Sequence, residues 1–127
     1  MRADRPALVA VFAGGFAGAI ARAVLLDALP ADAGQWPWAT FLANVAGALL
    51  LGWVVARVPP HAHGRPLLAT GFCGALTTFS TLQLELLQML DGEHVALAAA
   101  YSAASIGVGL LAIGLGAGAG RRRRVAS

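Results

Sequence analysis

Gly71-Phe72-Cys73-Gly74-Ala75-Leu76-Thr77-Thr78-Phe79-Ser80-Thr81 lies inside a long apolar run and carries four hydroxyls in five residues. Gly71, Gly74, Thr78, Thr81 and Glu85 recur at offsets of 3, 4, 3 and 4, which is the spacing of one helix face. Hydroxyls of Ser and Thr bond back to helix carbonyls and bend the helix. With two glycines just upstream, the spacing predicts a break in this helix. Irregular backbone at membrane depth survives only when it is buried in protein or lines a wet cavity. Carbonyls freed by such a break suit a hard cation.

Working outward, this run is one of four apolar stretches, at about 7–26, 37–57, 66–90 and 94–118. About 20 apolar residues at 1.5 Å each cross a hydrocarbon core of roughly 30 Å. The expected fold is therefore all-α: an integral membrane protein of four transmembrane helices per chain, with a broken third helix. Residues 1–127 read as one membrane domain. The chain is 58% hydrophobic and 12% charged, too little charge to cover a soluble globule and too apolar for disorder. Its single cysteine, Cys73, excludes an internal disulfide framework and reads as a small buried hydrophobe. Short loops make neighbouring helices antiparallel. Trp36, Trp38 and Trp53 suit interfacial anchoring or plain packing. The first run imitates a signal peptide, yet it is long enough to span by itself.

All nine basic residues are arginine, and their placement is uneven. An even number of spans puts both termini on one face. Arg2, Arg5, Arg57, Arg65 and Arg121, Arg122, Arg123 and Arg124 fall on that face, eight in all. The opposite loops carry Asp27, Asp32, Asp91 and Glu93. Arginine bias in short loops sets orientation, so both termini are expected in the cytoplasm, in a multi-pass plasma-membrane protein. The terminal arginine run reads as an anchor on anionic membrane lipid rather than a nucleic-acid contact.

Polar side chains inside hydrocarbon are expensive and mark function by default. Arg22 and Glu85 sit toward the same external face, positioned to pair or to snorkel. Thr40, Asn44 and Gly47 share one face of the second helix, where the amide either glues helices or lines a polar path. Tyr101, Ser105 and Gly109 share one face of the fourth span. That row suits packing through small residues, or a dehydrated anion that needs donors. Phe79 adds a ring whose edge is electropositive. His61 and His63 alone make a poor metal site. With no nucleophile–base pair or ligand set, enzyme chemistry is not expected.

Three segments together resemble the Fluc (CrcB) fluoride channels across nearly the whole chain. They are Gly14-Gly15-Phe16-Ala17-Gly18-Ala19 with Arg22, Thr40-Phe41-Leu42-Ala43-Asn44-Val45-Ala46-Gly47, and the Gly71–Thr81 stretch. The resemblance implies an inverted (antiparallel) dimer with two fluoride pathways around a structural sodium ion. It implies backbone carbonyls of Gly74 and Thr77 as sodium ligands, Asn44 as an amide donor to fluoride, and Phe79 as a ring edge. Tyr101 and Ser105 match polar positions of the pathway, with Thr40 and Thr78 as further donors. Arg22 would stand toward the mouth, and Glu85 matches the acid after the hydroxyl cluster. Two positions depart from the pattern: Leu82 replaces a second phenylalanine, and Gly109 stands where a hydroxyl is expected.

The function expected is a passive channel exporting cytoplasmic fluoride. A small proton-coupled cation or drug exporter is the alternative, with Glu85 its only in-span acid. A non-conducting subunit of a heteromeric channel is another, suggested by Leu82. The arginine gradient bears on assembly, because a symmetric inverted homodimer inserts each chain both ways. Eight arginines against none favours a heterodimer with an oppositely oriented homologue.

Overall fold

The computed structural model describes residues 4–32 and 34–126, with the last four of these described by backbone alone. Arg2 and the side chains of Arg123 and Arg124 lie outside the described residues. Helix α1 spans Arg5–Ala28, α2 spans Trp38–Arg57, α3 spans Gly74–Leu76, α4 spans Phe79–Asp91 and α5 spans Val95–Ala126. A π-helical segment, Pro66–Cys73, runs directly into α3. Four spans are long and apolar enough to cross a membrane: Arg5–Ala28, Trp38–Arg57, Pro66–Asp91 and Val95–Arg122.

The boundaries follow local chemistry. Pro6 sits in the first turn of α1, where its missing N–H costs nothing. α1 stops before Leu29-Pro30 and α2 before Val58-Pro59, since a residue preceding proline is driven out of helical geometry. The Arg65 guanidinium donates to the Val55 carbonyl at 2.7 Å, satisfying the C-terminal end of α2. α4 begins with Thr78 as its cap, the hydroxyl accepting from the Thr81 N–H at 3.2 Å.

Two glycine-mediated pairings build the bundle. α2 lies on α5, with Gly52 against the Ile113 carbonyl and Gly116 against the Leu49 carbonyl. α1 lies on the π-helical segment, with Gly14 against the Leu67 carbonyl and Gly18 against the Phe72 carbonyl. Small residues permit this backbone approach, which drives helix association where lipid removes the hydrophobic incentive. The third span begins against α1 and α2, and its second half packs on α5. The outward faces are apolar: Phe12 and Phe16 are 77% and 65% exposed. Among fully or partly buried groups, Tyr101, Met89 and Ala98 form a cluster with Trp36, Phe41, Leu82, Leu86 and Leu97.

The stripe predicted along the third span does not stay on one face. Gly71 faces α1, where an added Cβ would lie 2.6 Å from the Val11 carbonyl oxygen. Thr78 faces α2 instead. The wider π turns and two extended residues, Thr77 (ψ 151°) and Thr78 (ψ 117°), reset the helical phase between them.

Candidate functional site

The site is built where α2 meets the two extended threonines. Asn44 Oδ1 accepts from the Thr78 N–H at 2.7 Å, and Asn44 Nδ2 donates to the Thr78 carbonyl at 3.2 Å. The Thr77 hydroxyl donates to the Cys73 carbonyl at 2.8 Å, and its methyl group occupies the space beside Gly47. The Thr78 hydroxyl donates to the Thr81 hydroxyl at 3.0 Å. Asn44, Gly47, Thr77 and Thr78 face a groove of about 360 Å³ that Gly74, Phe79 and Leu82 also line. Phe79 is 71% exposed there.

Nearer the expected external end, Glu85 holds a second knot. The Thr40 hydroxyl donates to Glu85 Oε2 and the Tyr101 hydroxyl to Glu85 Oε1, each at 3.1 Å. Thr40 and Tyr101 are buried. Tyr101 also meets Trp36 edge to face, with ring centroids 5.2 Å apart. The pairing of Arg22 with Glu85 expected from their depths does not form among the described residues. Both carboxylate oxygens instead take hydroxyls from α2 and α5, because the second half of the third span packs on α5 while α1 lies against the first half.

Thr40, Asn44 and Gly47 thus all address the third span, as their common face requires. Together with Thr78, Thr81 and Glu85 they form a polar ladder through otherwise apolar helices. The amide of Asn44 is committed to Thr78, and one of its two N–H donors stays free for another acceptor. Ser105, one turn along α5 from Tyr101, has a buried hydroxyl oxygen with no partner among the described residues. Gly109 leaves open space beside it. Leu82 lines the groove and packs on the aromatic cluster. Sequence reading missed the unpartnered Trp36 indole N–H, buried beside Tyr101. His61 and His63 join no group of three or more metal-ligating side chains among the described residues.

The donor set at Gly74 and Thr77 fits a hard cation. In an uninterrupted helix the amides of Thr78 and Thr81 would bond these two carbonyls. Here the first donates to Asn44 and the second to the Thr78 hydroxyl, so both carbonyls are released from helical pairing. Both residues line the groove, and nothing lies within 4 Å of a Cβ added at Gly74.

The family model for CrcB-like protein, Camphor Resistance (CrcB), matches residues 9–117. This chain belongs to the CrcB family. Among similar proteins, the fluoride-specific ion channel FluC 1 of Mycolicibacterium paratuberculosis is 50% identical over 107 residues, 81% of each chain. FluC 1 of Mycobacterium tuberculosis shows the same identity and coverage. A FluC from Ignicoccus hospitalis is 40% identical over 104 residues, 80% of this chain and 84% of its own. All three are named as ion channels, a non-enzymatic function. The CrcB match contains all the elements that build the ladder and the groove, from α2 through the Tyr101–Ser105 turn of α5.

Proposed function

We propose that this chain is a subunit of a passive, fluoride-selective channel that lets cytoplasmic fluoride leave the cell. The polar ladder carries the reading: Thr40, Glu85 and Tyr101 above, then Thr81, Thr78 and Asn44, inside spans otherwise apolar. A dehydrated fluoride needs donors to replace its water. The free N–H of Asn44 and the unpartnered Ser105 hydroxyl can supply them, the Thr78 and Tyr101 hydroxyls can do so only by turning away from Thr81 and Glu85, and Phe79 can offer its ring edge. Arg22 would raise the local anion concentration toward the mouth. The anion enters cells as the neutral acid and is trapped on dissociation, so export needs no energy coupling.

In this reading the extended Thr77-Thr78 pair is the functional break of the third helix. Gly74 and Thr77 would hold a sodium ion through their carbonyls, shared with a second chain at the centre of an inverted dimer. Bound there, the ion would supply a fixed positive charge that ties the two subunits together. A second chain is supported by the groove beside the ladder, where Phe79 is 71% exposed and Asn44 and Thr78 line the wall. The arginine gradient favours a heterodimer with an oppositely oriented homologue over a homodimer, and puts both termini in the cytoplasm.

The deciding experiment is fluoride efflux from liposomes containing the protein and any partner. Efflux lost in Asn44→Ala and Phe79→Ala is expected; efflux unchanged in both would remove this pathway. Accessibility mapping of both termini on the chain expressed alone is expected to find one orientation. Equal amounts on both faces would replace the heterodimer with a homodimer. A second reading, a non-conducting subunit, is favoured by Leu82 at the groove. It predicts that pathway substitutions matter only in the partner. A proton-coupled flux abolished by Glu85→Gln would instead indicate the exporter.

A further inference from the structure

A second groove of about 580 Å³ runs beside α1 at the arginine-rich end of the bundle, far along the helix from the ladder. Arg5 and His63 stand at its rim, and Val9, Ala10, Ala13 and Leu67 form its walls. Ala13 follows Arg5 by eight residues, so the groove descends about 12 Å along the helix. The small side chains of Ala10 and Ala13 make a shallow, open trough, and Leu67 at the start of the π-helical segment borders its other side. Below its rim the groove is apolar. Arg65, the neighbouring base, donates to the Val55 carbonyl and does not line the groove.

From this complementarity we propose that the groove is a site for one anionic phospholipid. The phosphate would sit between Arg5 and His63, and an acyl chain would lie along Ala10 and Ala13. Basic pockets between transmembrane helices on the cytoplasmic side hold anionic headgroups for this reason: the charge is matched and the chain stays in hydrocarbon. The length and polarity of the groove fit a lipid standing along the bilayer normal better than a soluble anion, which has no use for the apolar walls. The inference needs the chain to span the membrane with its arginine-rich face in the cytoplasm. It does not depend on which ion the protein conducts.

The test places the full chain, with any partner, in vesicles of equal phosphatidylglycerol and phosphatidylcholine with matched acyl chains. Native mass spectrometry then counts the lipid retained on extraction. Phosphatidylglycerol is expected to be retained preferentially, with the preference falling about fivefold in Arg5→Ala. Arg5→Lys and Arg122→Ala are expected to keep the preference, and Ala13→Leu to lower retention of both lipids. Fluoride efflux is expected to persist in all four variants, which separates this site from the ladder. Equal retention of the two lipids by the unaltered protein would overturn the proposal. So would a preference that survives Arg5→Ala combined with His63→Ala, or displacement of the lipid by inorganic phosphate alone. A disulfide between two copies through Ala13→Cys would put a second chain in the groove and overturn it too.

Discussion

Asn44 holds Thr78 through both of that residue's backbone polar groups, accepting from the N–H at 2.7 Å and donating to the carbonyl at 3.2 Å. A side-chain amide thereby replaces the two backbone bonds that an extended residue forfeits inside a helical span. The same contact keeps the Thr78 amide away from the Gly74 carbonyl. One residue on α2 therefore maintains the shape of the third span.

Asn44→Ala leaves the Thr78 N–H and carbonyl without partners and is expected to destabilise the protein by about 1–3 kcal/mol. Asn44→Asp keeps the acceptor for the Thr78 N–H, but when ionised it sets a charge against the Thr78 carbonyl inside the span, so a loss at least as large is expected at neutral pH. Thermal unfolding in detergent, run beside fluoride efflux, checks both effects.

Glu85 gathers two buried hydroxyls, from Thr40 and Tyr101. Glu85→Ala is expected to cost about 1–3 kcal/mol, because the buried Thr40 and Tyr101 hydroxyls both lose their acceptor. Glu85→Gln retains one carbonyl oxygen, and a hydroxyl can rotate to accept from the new amide, so most of the stability should survive. Comparing the midpoints of the two variants tests the arrangement.

Gly116 touches the Leu49 carbonyl across the α2–α5 seam, whereas nothing lies within 4 Å of a Cβ added at Gly107 on the same helix. Gly116→Ala should force the helices apart and destabilise by about 1–3 kcal/mol. Gly107→Ala should be neutral, or stabilising by up to about 1 kcal/mol through helix propensity. A matched pair of unfolding curves distinguishes crowding from any general effect of removing glycine.

Glu93 turns the corner between α4 and α5 with a φ of 62°, a left-handed conformation that costs a residue with a Cβ. Glu93→Gly is expected to stabilise the hairpin by about 1 kcal/mol, or Glu93→Asn by less. The measurement is again the unfolding midpoint, with efflux as the check that the bundle is intact.

By itself, the sequence determined the apolar lengths and the charge gradient. These properties depend on each segment's own transfer energy between water and lipid, with no reference to its neighbours. It also marked the candidate residues, because a polar group in an apolar span stands out wherever it lands. The face shared by Thr40, Asn44 and Gly47 was legible for the same reason: helical period is local. Only the tertiary structure decided the partners. The sequence left Glu85 to pair with Arg22 or to snorkel, and in the structure it takes the Thr40 and Tyr101 hydroxyls instead because α4 packs on α5. Asn44 met Thr78 because the helices stand at a particular depth and rotation, set by backbone contacts at Gly14, Gly18, Gly52 and Gly116. A hydrogen bond requires positions matched to a few tenths of an ångström, and periodicity within one helix carries no information about its displacement against the next.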